Sequence, residues 1–232
     1  MFARSMLMAS GQRQINVIVS ANVRSPNIAA LATALGWNGS QLIQVTINSG
    51  VDVASLNISG IGANQLHVIN YGRIGGVVNS GTGLYTRIPI RVTNNGTIFG
   101  GGGQGGYGGG AWVQYHGSSG GASGGGGGNG AGFNASGSVA LISAQSGGRG
   151  EDYQYQGAIF PGDTAPAASG GSGGSGGSIG QSGFSGGWGG VGGSASASET
   201  TPPGDGQPAG YYVDGNAYIT WLATGTRLGR VI

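Results

Sequence analysis

Residues 169–178 read SGGSGGSGGS, and the same period of three returns as Ser185-Gly-Gly-Trp188-Gly-Gly-Val191-Gly-Gly-Ser194 and as Gln104-Gly-Gly-Tyr107-Gly-Gly-Gly110. A flexible spacer has no reason to hold a phase, or to carry tryptophan, valine and tyrosine where its serines stand. Three residues per turn is the period of a polyproline II type helix, which rises about 3.1 Å per residue. Wound this way, an X-Gly-Gly run puts its side chains on one edge and leaves two edges of bare backbone. The helix bonds nothing internally, so neighbouring chains must satisfy its NH and CO groups. Fixing a residue costs roughly 1–2 kcal/mol of backbone entropy, against a net return of about 0.5–1.5 kcal/mol per hydrogen bond. One such helix is therefore disordered, whereas several side by side cooperate. The candidate runs are 100–110, 120–132, 146–150, 169–180 and 183–194, which we read as one polyglycine II sandwich.

Of 57 glycines in 232 residues, 39 lie between positions 100 and 193, so the flanks follow other rules. Residues 14–99 alternate apolar and polar residues in short stretches, as in Ile15, Val17, Val19 and Val45, Ile47, the pattern of strands with one buried face. One short helix near 26–35 interrupts them, with Ser25 as cap, Pro26 at the first helical position, Ile28, Leu31 and Leu35 along one face, and Gly36 as the stop. A repeat follows. Val68-Ile-Asn70-Tyr-Gly72-Arg-Ile74-Gly-Gly76 matches Val92-Thr-Asn94-Asn-Gly96-Thr-Ile98-Phe-Gly100 at its valine, asparagine, isoleucine and both aligned glycines, and Asn48-Ser-Gly50 is a weaker copy at a similar interval upstream. Such spacing suggests the stacked rungs of a β-solenoid; the alternative is a β-sandwich with recurrent NxG turns. Near the end, Tyr211 to Val213 and Ala217 to Trp221 flank Asp214-Gly215 as a β-hairpin would. The expected fold is mainly β with a polyglycine II helix bundle: a β-rich mounting region over 1–99, the sandwich over 100–196, and a C-terminal β segment over 197–232 that packs back.

Composition removes several kinds of chemistry. All nine basic residues are arginines, net charge is +2 and charged residues make up 7%, which suits neither a nucleic-acid backbone nor a phosphate loop built on lysine. No cysteine is present, so disulfides, zinc–thiolate sites and thiol catalysis are excluded. His67 and His116 lie in different segments without ligand spacing, and no metal or cofactor is expected; His67 reads as a hydrogen-bonded strand residue. Adjacent Glu151 and Asp152 read as a solvated loop pair rather than two carboxylates facing each other across a sugar. The apolar patch Met6 to Ala9 is too short for a secretory signal, and no apolar run approaches the roughly 20 residues of a membrane span, so synthesis in a cytoplasm without membrane insertion is expected.

The NxGxIxG repeats running into GGGGQGGYGGG, the further glycine runs, and the ending from Gly215 to Arg230 (GNAYITWLATGTRLGR) together resemble the glycine-rich tip proteins of bacteriophage tails. These include T-even fibre-tip adhesins and the distal parts of tail-tip attachment proteins. The resemblance implies a non-enzymatic adhesin in the virion, on a tail fibre or tail tip. Its partners would be other tail proteins and a bacterial surface receptor, an outer-membrane protein or glycan. The assembly would be a homotrimer or a single cap on a trimeric fibre. A purely structural spike, fibre or cap, an ice-binding protein and a glycan depolymerase are the alternative readings.

The segments joining the runs are rich in aromatic residues, the composition of binding surfaces, since rigid amphipathic rings give contact area at low entropy cost. If successive runs alternate in direction, 111–119 and 151–168 share one end and 133–146 takes the other. Trp112, Tyr115, His116, Tyr153, Tyr155 and Phe160 are the receptor-binding candidates, acting through stacking and hydrogen bonds on a surface of low charge. The competing reading makes these rings miniature cores closing the bundle. Trp188 and Val191, midway along a run, are expected to pack on the β part or a partner chain.

Overall fold

The computed structural model describes residues 14–232; the Met6 to Ala9 patch lies outside the described residues. The chain is mainly β, with one α-helix among these residues. Its first part is a three-sided parallel β-solenoid. The first face carries β1 (Ile15–Val19), β3 (Ile43–Ile47), β6 (Leu66–Asn70) and β9 (Ile90–Asn94), paired in that order. The second carries β2 (Val23–Arg24), β4 (Asp52–Ala54), β7 (Arg73–Gly75) and β10 (Thr97–Phe99). The third begins with β5 (Leu56–Ile58) and β8 (Leu84–Thr86). Alternate residues point inward and stack as columns: Ile15, Ile43, Leu66 and Ile90 on the first face, Val53, Ile74 and Ile98 on the second, all at most 6% exposed.

The solenoid explains the NxG repeat. Val68, Asn70 and Ile74 stack under Val92, Asn94 and Ile98, each matched residue lying on its counterpart one rung away. Buried Asn70 donates to Asn94 Oδ1 at 2.8 Å and Asn94 donates to Thr224 O at 2.7 Å, so the asparagines form a ladder up one corner. Gly72 and Gly96 follow because a Cβ there would lie 2.3 Å from Val51 O and 2.1 Å from Gly72 O. The weaker copy is out of step: Asn70 lies over Ile47 rather than Asn48.

The helix α1 (Ile28–Ala34) replaces a third strand in the first rung. Its cap is Asn27, whose side chain accepts from Ala30 N, and not Ser25, which has φ +44. Ile28 and Ala32 are buried, while Leu31 and Leu35 are 42% and 56% exposed. The expected face is rotated because the helix rests on β1 by its Ile28 side.

From Gly100 the chain leaves the solenoid for six extended runs, over residues 100–110, 123–131, 145–151, 169–178, 181–190 and 201–210. The bonds between them fall every third residue. Gly102, Gly105 and Gly108 donate to Ala131, Gly128 and Gly125; Gly103, Gly106 and Gly109 donate to Gln181, Phe184 and Gly187; Gly171, Gly174 and Gly177 donate to Gly109, Gly106 and Gly103, all at 2.6–2.9 Å. This is the three-residue turn expected of polyglycine II. The pairings give two layers of three, the second, first and sixth runs over the third, fourth and fifth, with direction alternating along the chain. The sixth run, TPPGDGQPAG, lies beyond the boundary expected at 196. Gly204, Gln207 and Gly210 donate to Tyr107, Gln104 and Gly101, so these residues belong to the sandwich and not to a C-terminal β segment. A run at the edge of a layer meets few neighbours, so proline, aspartate and glutamine are tolerated in it.

Short strands close the ends of the runs. Away from the solenoid lie β11 (Ala111–Tyr115), β12 (Ser118–Ala122), β15 (Asp152–Gln154), β16 (Ala167–Ser169), β17 (Gly190–Gly192) and β18 (Ala197–Thr200). Against the solenoid lie β13 (Gly132–Phe133) and β14 (Leu141–Ile142).

The chain then returns as β19 (Tyr211–Asp214), β20 (Ile219–Ala223), β21 (Thr226–Leu228) and β22 (Arg230–Val231). The expected hairpin does not form. β19 pairs in parallel with β8 on the third face, whereas β20 pairs in parallel with β9 on the first. Gly215, at φ +107, and the turn 216–218 carry the chain round a corner of the solenoid instead of reversing it. β19 thus completes the fourth rung, and β20, β21 and β22 form a fifth. There Arg227 takes the place held by Val53, Ile74 and Ile98 below, its guanidinium 5.6 Å from the Tyr212 ring and 5.2 Å from that of Trp221.

Candidate functional site

Alternation of the runs sorts the five connections. Residues 132–144 meet the solenoid: Phe133 exchanges backbone bonds with Gly76 and Val78, its ring centroid lies 5.1 Å from that of Phe99, and Asn134 accepts from Arg24 at 3.1 Å. The other near connection is the tight turn at Gly180. The remaining three, 111–122, 152–168 and 191–200, converge on the far end.

There two three-stranded sheets, β12-β11-β18 and β15-β16-β17, pack around Ala111, Val113, Ala122 and Ala168. Tyr153 is packed against this small core, its ring filling the space where a Gly120 Cβ would be 2.0 Å away. Strand periodicity sends Tyr115 to the inner side of β11, 2% exposed, and Trp112 to the outer side, 37% exposed. The β11–β12 connection is a two-residue turn with His116 at φ +44 and Gly117 at φ +89, the signs of a type I′ hairpin.

Tyr115 organises the tip. Its hydroxyl donates to Asp163 Oδ2 at 2.9 Å and accepts from the Phe160 N–H at 3.0 Å, which ties 152–168 to the hairpin. Burial pushes the phenol above its ordinary range. Around it stand His116, Tyr155 and Phe160, at centroid distances of 4.5, 5.2 and 6.4 Å, with His116 and Phe160 4.7 Å apart. Phe160 is 58% exposed, Ile159 beside it 40%. Of the six candidates, four gather at one tip, Trp112 occupies a separate face and Tyr153 packs against the small core.

Three further features escaped the sequence reading. The 191–200 connection lies at this end, and only recognition of the sixth run could have placed it there. Asp163 carried no signal until the fold brought it to Tyr115. Charge is also less sparse locally than expected. Residues 100–210 hold one arginine, Arg149, against Glu151, Asp152, Asp163, Glu199 and Asp205, a net of −4, while the described solenoid carries six arginines against Asp52 and Asp214. Arg149 pairs with Asp152, and Glu151 accepts weakly from Ser123 N. His67 lies far from this tip, on the first solenoid face, bonded to the Thr93 hydroxyl at 2.8 Å. Trp188, in the fifth run, and Val191, in β17, expected to pack on the β part or a partner chain, are 65% and 43% exposed in this chain.

No curated protein matches this chain. Among solved structures it is similar to a chain in the crystal structure of the gp37-gp38 adhesin tip complex of the bacteriophage S16 long tail fibre, with 19% identity and a TM-score of 0.49, over 95% of this chain and 83% of that one. The family described as phage tail fibre adhesin Gp38 matches residues 14–232. The chain belongs to the Gp38 family of phage tail fibre adhesins.

Proposed function

We propose that this adhesin meets its host receptor with the end of the glycine sandwich remote from the solenoid, and that the solenoid is its mount on other tail proteins. One observation carries the reading: three of five connections converge on that end, where His116, Tyr155 and Phe160 surround Tyr115, while 132–144 is pinned to the solenoid. A rigid cluster of aromatic rings backed by a small core is the anatomy of an interface anchor. The action is adhesion without bond cleavage, performed in the virion at the tail fibre.

The experiment is host-cell binding by the full chain. Phe160→Ala lowers affinity by about 1–4 kcal/mol, as anchors do, with an unchanged melting temperature. Ser136→Arg and Ser138→Arg in the pinned connection leave binding intact. Loss of binding in the serine variants with full binding by Phe160→Ala places the receptor face elsewhere.

A further inference from the structure

On the outer face of the β12-β11-β18 sheet, Trp112 stands between its two cross-strand partners, Gly121 of β12 and Glu199 of β18. Partners in register have Cβ atoms about 4.5–5.5 Å apart. Gly121 brings no side chain, and the indole leans to that side, its Cδ1 3.6 Å from where a Gly121 Cβ would be. The groove so formed measures about 480 Å³ and is lined by Trp112, Glu199, Ser123 and Thr201. Thr201 is already engaged, its hydroxyl accepting from Gly110 N at 2.8 Å. Glu199 is exposed and has no ion pair or side-chain hydrogen bond among the described residues, since Arg149 is held by Asp152. The Glu151 carboxylate accepts from the backbone N–H of Ser123, one of the lining residues, at 3.4 Å.

We propose that this groove receives one cationic side chain, a lysine or arginine on a protein loop of the receptor, with its charge between the indole and the Glu199 carboxylate. The inference rests on the adhesive-end reading and deepens it by naming the chemistry of one subsite. Tryptophan is the best aromatic partner for a cation, and the attraction grows as receptor contact excludes water. The carboxylate fixes the sign of the charge. The net −4 of residues 100–210 steers a basic loop toward the groove and repels a phosphorylated glycan.

The test uses the full chain on host cells. Glu199→Gln lowers affinity roughly tenfold and Glu199→Lys lowers it further, while Trp112→Ala loses about 3- to 30-fold. These sites are exposed, so melting curves overlay wild type. Wild-type binding weakens from low to high salt, and Glu199→Gln is less salt-sensitive. Acetylation of host surface amines abolishes the Glu199 effect if lysine is the partner, and phenylglyoxal does so if it is arginine. Unaltered binding by Glu199→Lys, or indifference to both reagents, overturns the proposal; stronger binding by Glu199→Lys overturns it in favour of an anionic glycan. If Phe160→Ala also binds as wild type, the adhesive-end reading falls as well, whereas loss in Phe160→Ala alone removes only the cationic subsite.

Discussion

Within the run Gly124-Gly-Gly-Gly-Gly128, neighbouring glycines have identical local sequence and opposite surroundings. A Cβ on Gly125 would lie 2.0 Å from Gly148 O and one on Gly127 1.9 Å from Gly105 O, while one on Gly126 meets nothing within 4 Å. Alanine at 127 must drive the first and second runs apart by more than 1 Å, because real Cβ contacts begin near 3.0 Å. The bonds nearest the strain, Gly105 N to Gly128 O at 2.9 Å and Gly108 N to Gly125 O at 2.8 Å, are lost or stretched. At about 0.5–1.5 kcal/mol each, plus the penalty of a carbonyl left buried without a donor, Gly127→Ala costs about 2–4 kcal/mol. For a chain of this length that lowers the melting temperature by roughly 5–15 °C. Gly126→Ala keeps every contact and restricts the unfolded chain, so it stabilises by about 0.4–1 kcal/mol and raises melting slightly. Thermal and urea denaturation of Gly125→Ala, Gly126→Ala and Gly127→Ala would decide the matter. Equal melting of all three would show that these glycines do not form a period-three lattice.

His116→Asn keeps the hairpin, because Asn-Gly is the favoured type I′ pair, so melting holds or rises while host-cell binding falls if the imidazole is a contact. His67 pairs across strands with Arg91, and burial, then that neighbouring charge, lower its pKa below the usual 6.5. The unfolded chain therefore takes up this proton first, so stability is full above about pH 6.5 and declines as pH falls through the lower folded value. Between about pH 7.5 and 5 the melting temperature drops further in wild type than in His67→Gln, measured by circular dichroism; equal drops would refute the assignment.

The glycine sandwich was legible because an interior run has no choice of residue on its crowded edges. At Gly173 and Gly174 a Cβ would stand 2.0 Å from a backbone oxygen, while Ser172 and Ser175 face solvent, so SGG repeats record the lattice directly. Among the runs, the sixth bonds only to the first and fifth, and its prolines and Asp205 concealed the same conformation. The solenoid announced itself where consecutive rungs share the NxGxIxG pattern, but its last rung pairs Ile219 with Ile90, and no local pattern reports a partner so distant. The Asp214-Gly215 pair looked like a hairpin because local chemistry is shared by reversals and corners. At the tip, the three-residue separation of Trp112 and Tyr115 on one strand already implied opposite faces; grouping them by aromaticity alone overlooked it.

The fourth rung is interrupted between β10 and β19 by the entire sandwich, and the chain from β19 onward supplies an edge strand to each face of the solenoid. A ribosome releases β1 to β10 first, then the glycine runs, and only then the strands that finish rungs four and five. Until that moment the solenoid lacks the third side of its fourth rung and the whole of its fifth. Any chain that stops early, or whose runs fail to bring residue 210 back beside residue 101, cannot finish its own solenoid. The order of the sequence thus works as an inspection step: the solenoid is complete only in molecules whose glycine runs have already been made.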